Sequence, residues 1–425
     1  MRLKSFRDNV NTSKGLSGRI ALQNSALVVI GAGPAGFSAV QALRQNGYDD
    51  RVVLVGREEA LPYERPALSK DLLRDETSSD DILLRPAEWF EANDVELRLG
   101  CSASIDPRAR AVICGSESVP ARSILIATGG RPRQAMGPPT ERVLYLRDLK
   151  DAEAIRSRLK TCEHLIVVGA GFIGAEVAAS ARMSGIDVTM LEALDLPMTR
   201  ALGPEVGRIY ADIHLDEGVK LRLGEGVVSI EENPEGVVVH TTKDHSLEAD
   251  LVVVGVGLEP AVEIAAEAGI TVDNGIVVDE YCRTSISNVL AAGDVANHKH
   301  PLYGVHVRVE HFSNALKQGA AAAMTMVGVP QPYDEPHWFW SDQYNYNLQS
   351  AGISAGWDAT VIRGSLEDRN FVAFYLKRGC IISAVGIDRP RDIRRALKLI
   401  SSRAMVDHDS LRDESVDLRK LVTPA

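Results

Sequence analysis

Two short glycine-rich stretches constrain this chain more than any other feature. The first is Gly31-Ala32-Gly33-Pro34-Ala35-Gly36 and the second is Gly169-Ala170-Gly171-Phe172-Ile173-Gly174. Each follows a short apolar run typical of a buried strand, residues 27–30 and 165–168, and each leads into an alanine-rich helical pattern. G-x-G-x-x-G is weak evidence alone, but between a strand and a helix it predicts a loop that binds a dinucleotide pyrophosphate. Two such loops in one polypeptide predict electrons passing from one cofactor to another.

The three glycines of such a loop have different tasks. The first makes the tight turn, the second lets the backbone approach the pyrophosphate, and the third allows close packing of helix on strand. Apolar runs at residues 52–55 and 187–191 supply the returning strands of two βαβ units. Further strands are predicted at residues 123–127 and 251–255.

The last part of the chain has a different pattern. A helix is predicted from near Glu310 to Met326, and prolines at 330, 332 and 336 then mark a linker. Strands at residues 371–375 and 381–385 and a helix at residues 392–401 follow, which indicates an α+β domain. We predict an α/β fold with two Rossmann-like dinucleotide-binding domains and a C-terminal α+β domain.

Composition excludes several classes of protein. The 425 residues carry a net charge of −11, which argues against a nucleic-acid binder because such domains are basic. No apolar run approaches the roughly 20 residues that cross a bilayer, so we expect no membrane partner and a cytoplasmic location. Residues 1–25 are polar, basic and poor in acidic residues, which fits a disordered tail and leaves a transit peptide open.

The five cysteines are far apart in sequence. No C-x-x-C pair or iron–sulfur ligand spacing is present, so neither a redox dithiol, a built-in cluster nor another metal site is expected. NADH oxidases, peroxidases and disulfide reductases of related architecture need a cysteine near the flavin. The chain between Leu27 and Cys101 contains no cysteine, which argues against these enzymes.

Taken together, the motifs resemble those of the FAD-dependent, NADH-oxidising ferredoxin reductases. These serve aromatic-ring dioxygenases and bacterial cytochrome P-450 monooxygenases, and they share the glutathione-reductase-like fold with apoptosis-inducing factor. The resemblance extends from about Ala26 to the C-terminus. It rests on both glycine loops, the segment 61–70, Ala127-Thr128-Gly129, residues 291–296, Arg308-Val309-Glu310-His311 and Trp338-Phe339-Trp340-Ser341-Asp342-Gln343.

The resemblance implies a division of the chain between the two cofactors. Residues 26–142 and 273–331 form the FAD-binding domain, 143–272 the NAD-binding domain and 332–425 the C-terminal domain. The usual acid of the FAD loop falls on Arg57, so Glu58 becomes the candidate ribose ligand; the alternative is a ribose held by backbone alone. Asp294 matches the aspartate that bonds the ribityl chain, and the helix opening near Glu310 directs its dipole at the flavin N1–O2 edge.

Lys70 matches a lysine beside flavin N5 that pairs with a glutamate, here Glu176. We predict a buried ion pair beside the path of the hydride, and assign catalytic roles to both residues. Glu192, at the end of the strand after the second loop, occupies the ribose-binding position. A carboxylate there bonds the 2′-hydroxyl of NADH and repels the 2′-phosphate of NADPH, so NADH is the expected nucleotide.

The full set of cofactor-binding residues implied by the resemblance is larger. It comprises Gly31, Gly33, Ala35, Gly36, Glu58, Arg65, Lys70, Thr128, Gly129, Arg131, Gly169, Gly171, Ile173, Gly174, Glu192, Gly257, Asp294, Glu310, His311 and Trp340. For Trp340 plain core packing is the alternative.

The electron acceptor implied is a separate iron–sulfur ferredoxin, Rieske-type or [2Fe-2S], since this chain has no cluster ligands. Arg389, Arg391, Arg394, Arg395 and Lys398 form a basic cluster that could steer an acidic ferredoxin, although an ordinary solvated helix face explains it as well. Rubredoxin is an alternative acceptor, and a signalling flavoprotein like apoptosis-inducing factor is an alternative role that a basic surface would suit better. The chain is expected to be a monomer or a homodimer.

Overall fold

The computed structural model describes residues 25–421, which form two compact units. Unit 1 comprises residues 25–64, 82–131 and 259–334, and unit 2 comprises residues 65–81, 132–258 and 335–421. Apart from Ser25, the predicted disordered tail lies outside the described residues. Within them, no helix is both long and apolar enough to cross a membrane.

The helices of the described residues, numbered in chain order, are α1 (Pro34–Gln45), α2 (Ala87–Ala92), α3 (Leu149–Leu159), α4 (Phe172–Met183), α5 (Thr199–Leu202), α6 (Pro204–Asp216), α7 (Glu263–Glu267), α8 (Phe312–Met326), α9 (Pro390–Ser402) and α10 (His408–Arg412). Short 3-10 turns are found at Arg65–Ser69, Gly293–Val295 and Leu418–Leu421.

The strands are β1 (Ala26–Ile30), β2 (Val52–Val55), β3 (Val95–Arg98), β4 (Ala103–Asp106), β5 (Ala111–Cys114), β6 (Glu117–Ile126), β7 (Gly130–Pro132), β8 (Val143–Tyr145), β9 (His164–Val168), β10 (Asp187–Glu192), β11 (Lys220–Leu223), β12 (Val227–Glu232), β13 (Val237–Thr241), β14 (Ser246–Ala249), β15 (Leu251–Val254), β16 (Leu258–Pro260), β17 (Ile276–Val278), β18 (Val289–Ala291), β19 (Ala296–His300), β20 (Val305–Arg308), β21 (Trp338–Gln343), β22 (Tyr346–Gly352), β23 (Ala359–Ser365), β24 (Asn370–Lys377) and β25 (Cys380–Ile387).

Unit 1 is built on a parallel sheet in the order β3-β2-β1-β6-β18; β5 pairs antiparallel with β6, and β4 pairs antiparallel with β5. Every side chain of β1 and β2 is buried, as a parallel sheet covered on both faces requires. Helix α1 crosses α8 so closely that a Cβ on Gly319 would lie 2.1 Å from the Ala35 carbonyl oxygen. The crossing therefore depends on glycine.

Unit 2 repeats the same parallel order, β11-β10-β9-β15-β8. An antiparallel sheet, β12-β13-β14, is added to this unit. Its last part is the antiparallel sheet β21-β22-β25-β24-β23, against which α9 packs its buried face. The predicted fold class, with two Rossmann-like units and a C-terminal α+β part, is confirmed.

Most predicted elements are present with small changes of boundary. The strand expected at 123–127 is the end of a longer one, because residues 117–120 already pair with β5. The helix expected from near Glu310 begins at Phe312, with His311 in extended conformation before it. The C-terminal helix is longer than expected, since Pro390 suits the first turn of a helix.

Candidate functional site

Both glycine loops form the tight turn between strand and helix. Gly31 and Gly169 have φ of +118° and +96°, and a Cβ on either would lie within 2.5 Å of a carbonyl oxygen on the neighbouring strand end. Cβ atoms on Gly36 and Gly174 would lie 1.9 and 2.0 Å from the carbonyl oxygens of Gly31 and Gly169. The first and third glycines are thus required by the protein's own packing.

Gly171 is different. Its φ of −76° suits any residue, and an added Cβ would have no protein atom within 4 Å. Nothing in the described protein requires glycine at this position, so the space beside it fits a group that is not protein. The second glycine of a dinucleotide loop leaves such a space for the pyrophosphate.

The helices behind the two loops begin without protection for their N–H groups. Neither α1 nor α4 has a side-chain cap, and neither carries an acidic residue in its first turn. Uncapped N–H groups and the positive end of the helix dipole together favour a phosphate. The residues present therefore fit a dinucleotide at each loop.

Glu192 ends β10 beside the second loop. Its carboxylate accepts the backbone N–H of Ala170 at 2.8 Å and that of Leu194 at 2.9 Å. These two bonds fix the carboxylate against the glycine loop. Ile173, in the first turn of α4, is 45% exposed, which is unusual for an isoleucine and leaves an apolar surface next to the loop.

Glu58 follows β2 beside the first loop and is half-buried, whereas Arg57 is exposed. The Tyr63 hydroxyl donates a hydrogen bond to Glu58 Oε2 at 2.5 Å, which orients the carboxylate. Tyr63 belongs to the proline-rich segment, so this segment contributes to placing Glu58. The sequence alone gave no sign of this contact.

Asp294 lies in the 3-10 turn after β18, where Gly293 has φ of +80° and its N–H is bonded to Gln318 Oε1 at 2.8 Å. His311, at the start of α8, interacts electrostatically with the Asp294 carboxylate. Burial lowers the pKa of His311 to about 4, against the smaller opposite effect of Asp294. The imidazole is therefore neutral at neutral pH.

Several predicted ligands have protein partners in the structure. Thr128 Oγ1 donates to the Ala261 carbonyl at 2.8 Å, and Arg65 donates to the Arg147 carbonyl at 2.6 Å. Arg131 is half-exposed and pairs with Glu263 at 2.6 Å. Glu310 precedes α8, is exposed and pairs with Arg308 at 2.5 Å.

Gly129 and Gly257 adopt positive φ, +66° and +104°. Positive φ strains any residue with a Cβ, so both turns favour glycine. The Cβ of a residue replacing Gly257 would lie 3.7 Å from the Arg133 side chain. Of the other predicted ligands, Gly33 is the N-cap of α1 and Ala35 is buried in the first turn of the same helix.

Lys70 and Glu176 form the predicted ion pair. Lys70 Nζ lies 3.2 Å from Glu176 Oε1, and both side chains are buried. Segment 65–81 belongs to the same unit as α4, which carries Glu176. Lys70 Nζ also lies 5.8 Å from the centre of a Trp340 ring, and Trp340 stacks on Trp338.

Two serines that the sequence analysis missed complete the surroundings of Glu176. Ser69 Oγ donates to Oε2 at 2.5 Å and Ser341 Oγ donates to Oε1 at 2.6 Å. Burial is the largest influence and raises the pKa of Glu176 above its ordinary value, although Lys70 and the two hydroxyls act in the opposite direction. Three donors thus surround one buried carboxylate and offset part of the cost of burying its charge.

The basic cluster of α9 is divided by the structure. Arg389 pairs with Glu414, and Arg395 pairs with Asp392. Arg391, Arg394 and Lys398 are exposed, at a spacing that places them on one helix face, and form no ion pair with residues 25–421. Only these three remain available to an external partner.

Comparison with known proteins agrees with this geometry. Residues 25–319 match the model of the pyridine nucleotide-disulphide oxidoreductase family, and residues 338–422 match that of the reductase C-terminal domain. The chain is 38% identical to rhodocoxin reductase of Rhodococcus erythropolis over 399 residues, which is 93% of each protein.

Two further similarities cover almost the whole chain. The chain is 38% identical to the ferredoxin–NAD(+) reductase component of the anthranilate 1,2-dioxygenase system of Burkholderia cepacia, over 92% of this chain and 98% of that one. The crystal structure of the covalent putidaredoxin reductase–putidaredoxin complex superposes with a TM-score of 0.90 at 34% identity, covering 94% of this chain and 98% of the other.

Proposed function

The chain belongs to the pyridine nucleotide-disulphide oxidoreductase family, and we propose that it is an FAD-dependent NADH:ferredoxin oxidoreductase. The observation that carries the proposal is a pair of glycine loops, each followed by a helix without a side-chain cap, on two parallel sheets of the same strand order. The names of the relatives support ferredoxin as the acceptor.

FAD, when bound, takes a hydride from NADH and releases the two electrons one at a time, as a one-electron acceptor requires. We assign it to residues 26–142 and 273–331. The first loop binds its pyrophosphate, Glu58 and Asp294 bond its sugar hydroxyls, and neutral His311 adds no charge beside them. The N–H groups that open α8, whose first turn has no acidic residue, favour negative charge on the flavin.

NADH is assigned to residues 143–272. The Glu192 carboxylate, fixed by Ala170 and Leu194, accepts hydrogen bonds from the ribose hydroxyls and repels a 2′-phosphate. Gly171 leaves room for the pyrophosphate, and Ile173 offers an apolar surface.

Lys70 and Glu176 are proposed to serve the reaction as a pair. The buried ammonium of Lys70 supplies a fixed positive charge beside the proposed path of the hydride, and Glu176 holds that ammonium in place. Since the pair is shielded from water, its electrostatic effect is stronger than that of a surface pair.

The exposed face of α9 is proposed to guide an acidic ferredoxin. Arg391, Arg394 and Lys398 concentrate positive charge on a chain whose net charge is −11, and such a patch raises the rate of encounter. The ferredoxin is proposed to be Rieske-type or [2Fe-2S], and the C-terminal domain of residues 332–425 to carry this face. NADH and a reduced thiol state of all five cysteines favour the cytoplasm.

Rapid mixing tests the proposal. The FAD-loaded protein is first reduced anaerobically with NADH, and then mixed with a panel of Rieske-type ferredoxins, [2Fe-2S] ferredoxins and rubredoxins. We expect fast flavin reduction and fast reduction of at least one ferredoxin. The rate of ferredoxin reduction should fall as the salt concentration rises.

Two results would redirect the proposal. Rubredoxin reduced faster than every ferredoxin would make the chain a rubredoxin reductase. Slow flavin reduction with a persistent charge-transfer complex would favour a signalling role like that of apoptosis-inducing factor. Protein that stays colourless when supplied with FAD would refute all three functions, because each of them needs the flavin.

A further inference from the structure

The buried face of β21 is polar where an apolar face is expected. Residues 339, 341 and 343 point to the same side of the strand because side chains alternate. Phe339 packs on Phe172 of α4, but the next two positions are Ser341 and Gln343, both fully buried. A buried polar side chain is costly without a hydrogen-bond partner, so these two residues need an explanation.

The explanation is a continuous hydrogen-bond chain that ends on Glu176. Ser341 Oγ lies 2.6 Å from Glu176 Oε1, and Gln343 Nε2 lies 3.1 Å from Ser341 Oγ. His214 Nε2, on α6, lies 3.0 Å from Gln343 Oε1, and His214 Nδ1 lies 3.0 Å from the Tyr344 hydroxyl. All of these residues belong to unit 2.

The chemistry of the groups fixes the direction of the chain. The single hydroxyl hydrogen of Ser341 goes to the Glu176 carboxylate, so Ser341 Oγ must accept from the Gln343 amide N–H. The amide oxygen of Gln343 then faces His214, which must donate from Nε2. His214 Nδ1 is left as the acceptor of the Tyr344 hydroxyl. Turning the amide of Gln343 over would place two acceptors 3.1 Å apart.

Tyr344 is held in an unfavourable backbone conformation for this contact. It lies in the two-residue turn between β21 and β22 with φ of +54°, a region where glycine or asparagine is usual. Its ring packs edge-on against His214 with centroids 5.5 Å apart. An aromatic residue at this position is explained by its contact with the imidazole.

We propose that His214 is a positioning residue for the Lys70–Glu176 pair, acting through Gln343 and Ser341 to hold Glu176 as an anion. Every hydrogen bond in the chain points toward the carboxylate, and aligned hydrogen bonds strengthen one another. The neutral Nε2–H tautomer of His214 sets this direction. Burial lowers the pKa of His214 to about 4, which keeps the imidazole neutral over the working range.

Among the described residues, few other charges lie near this hydrogen-bond chain. Around Glu176 they are Lys70, in direct contact, and Arg74, which reaches the carboxylate's helix through the Ser180 hydroxyl at 3.3 Å. The Glu176 charge is among the causes that raise the pKa of Tyr210 on α6, but burial is the largest of them, and the Tyr210 hydroxyl stays neutral and adds no charge near Glu176. Glu217 and Arg182 lie around Tyr344 and act on its pKa in opposite directions, while burial, the larger cause, raises it.

The first test is the tautomer of His214 in the FAD-loaded protein. Long-range proton–nitrogen correlation spectra on ring-labelled protein distinguish Nε2–H from Nδ1–H. We expect Nε2–H. The Nδ1–H tautomer would reverse the chain and overturn the proposal, whatever the behaviour of any variant.

The second test is the titration of Glu176 by infrared difference spectroscopy, with Glu176→Gln used to assign the carboxyl band. His214→Phe and Gln343→Leu each remove a donor behind Ser341, so the Ser341–Glu176 hydrogen bond should weaken and the pKa of Glu176 should rise by roughly half a pH unit, because a neighbouring hydrogen bond strengthens the next by about 10–30%. The acid limb of the rate of flavin reduction by NADH should move in the same direction. His214→Gln keeps an N–H donor and should restore much of the effect.

Tyr210→Phe is the matched control. Tyr210 lies one turn before His214 on α6, and its buried hydroxyl has no hydrogen-bond partner within the described chain. It should leave the titration of Glu176 unchanged. An unchanged titration in both His214→Phe and Gln343→Leu would overturn the proposal.

The inference rests on the proposed function only for its kinetic consequence. The infrared titration reports on Glu176 whichever protein accepts the electrons. A chain that fails to reduce any ferredoxin would refute the proposed function and leave the role of His214 decided by the titration.

Discussion

Lys70 and Glu176 come from distant parts of the sequence and form an ion pair of 3.2 Å with both side chains buried. Each charge depends on the other, because a buried charge without a partner is unfavourable. Lys70→Met should lower the free energy of unfolding by about 3–5 kcal/mol. The double variant Lys70→Met with Glu176→Leu should recover much of that loss, as measured by urea unfolding.

The catalytic role of the pair is checked separately. Lys70→Ala and Glu176→Ala, each loaded with FAD, should be reduced by NADH more slowly than the wild type in stopped-flow experiments. Wild-type rates in both variants would refute the role while leaving the contribution to stability intact.

Gly171 and Gly174 offer a matched pair of substitutions in one loop. Gly171→Ala should leave the melting temperature nearly unchanged and weaken NADH binding, because the added methyl meets no protein atom and occupies the space for the pyrophosphate. Gly174→Ala should unfold more easily, since its Cβ would lie 2.0 Å from the Gly169 carbonyl oxygen. Calorimetric melting and NADH titration measure both; unchanged NADH affinity in Gly171→Ala would contradict the assignment of the loop.

Glu192 is expected to select NADH over NADPH. Glu192→Gln removes the negative charge and keeps one carbonyl oxygen, so kcat/KM for NADH should fall about tenfold or more while the preference over NADPH narrows. Asp195→Asn, an exposed carboxylate three residues further on, is the control and should change neither. A wild-type enzyme that uses NADPH better than NADH would contradict the prediction.

The exposed face of α9 predicts a dependence on salt. Reversing Arg391, Arg394 and Lys398 to glutamate should slow ferredoxin reduction at low ionic strength several-fold, because the steering charge is reversed. Reduction of ferricyanide, which needs no docking surface of this kind, serves as the internal reference. Reversing Arg108, Arg110 and Lys299 to glutamate, three exposed residues outside α9, changes the net charge equally and is the control. An equal effect from that control would assign the change to overall charge.

His298 makes the stability of unit 1 depend on pH. Burial, with a smaller contribution from the neighbouring His300, lowers the pKa of His298 to about 4, below the value of about 6.5 in an unfolded chain. The folded state therefore binds fewer protons between these values, and stability is present above pH 6.5 and lost as the pH falls toward 4. His298→Leu should reduce the slope of the unfolding free energy over this interval by the share of one histidine, because His311 and His214 are also buried with lowered pKa values; an unchanged slope would contradict the explanation.

The sequence was sufficient for the fold class because its strongest signals are local. Gly31 and Gly169 lie between an apolar strand and a helix, and the structure has the same turn at both. Boundaries were less accurate where tertiary pairing extends an element beyond its apolar run. Strand β6 is an example, because its first residues, 117–120, pair with β5 although their own sequence does not indicate a strand. Glu310 was expected at a helix start, but the helix begins two residues later.

The surroundings of Glu176 show the limit of sequence reasoning. Lys70 could be named because its segment resembles that of known reductases. Ser341 and Gln343 carried a weak signal, since they are two polar residues on one face of a strand that begins with three aromatic residues. His214 carried none, because a histidine on an amphipathic helix gives no indication of which strand will pack against it.

Residues 65–81 belong to unit 2 although the sequence on both sides of them belongs to unit 1. This limits how the protein can be divided into fragments. A gene fragment that encodes residues 132–421 would fold its helix α4 without the serine and lysine that surround Glu176. Such a fragment would have to protonate the carboxylate or admit water to it. Unit 2 therefore needs a segment that is translated much earlier, and it cannot be expressed as one continuous stretch of sequence with the surroundings of Glu176 complete.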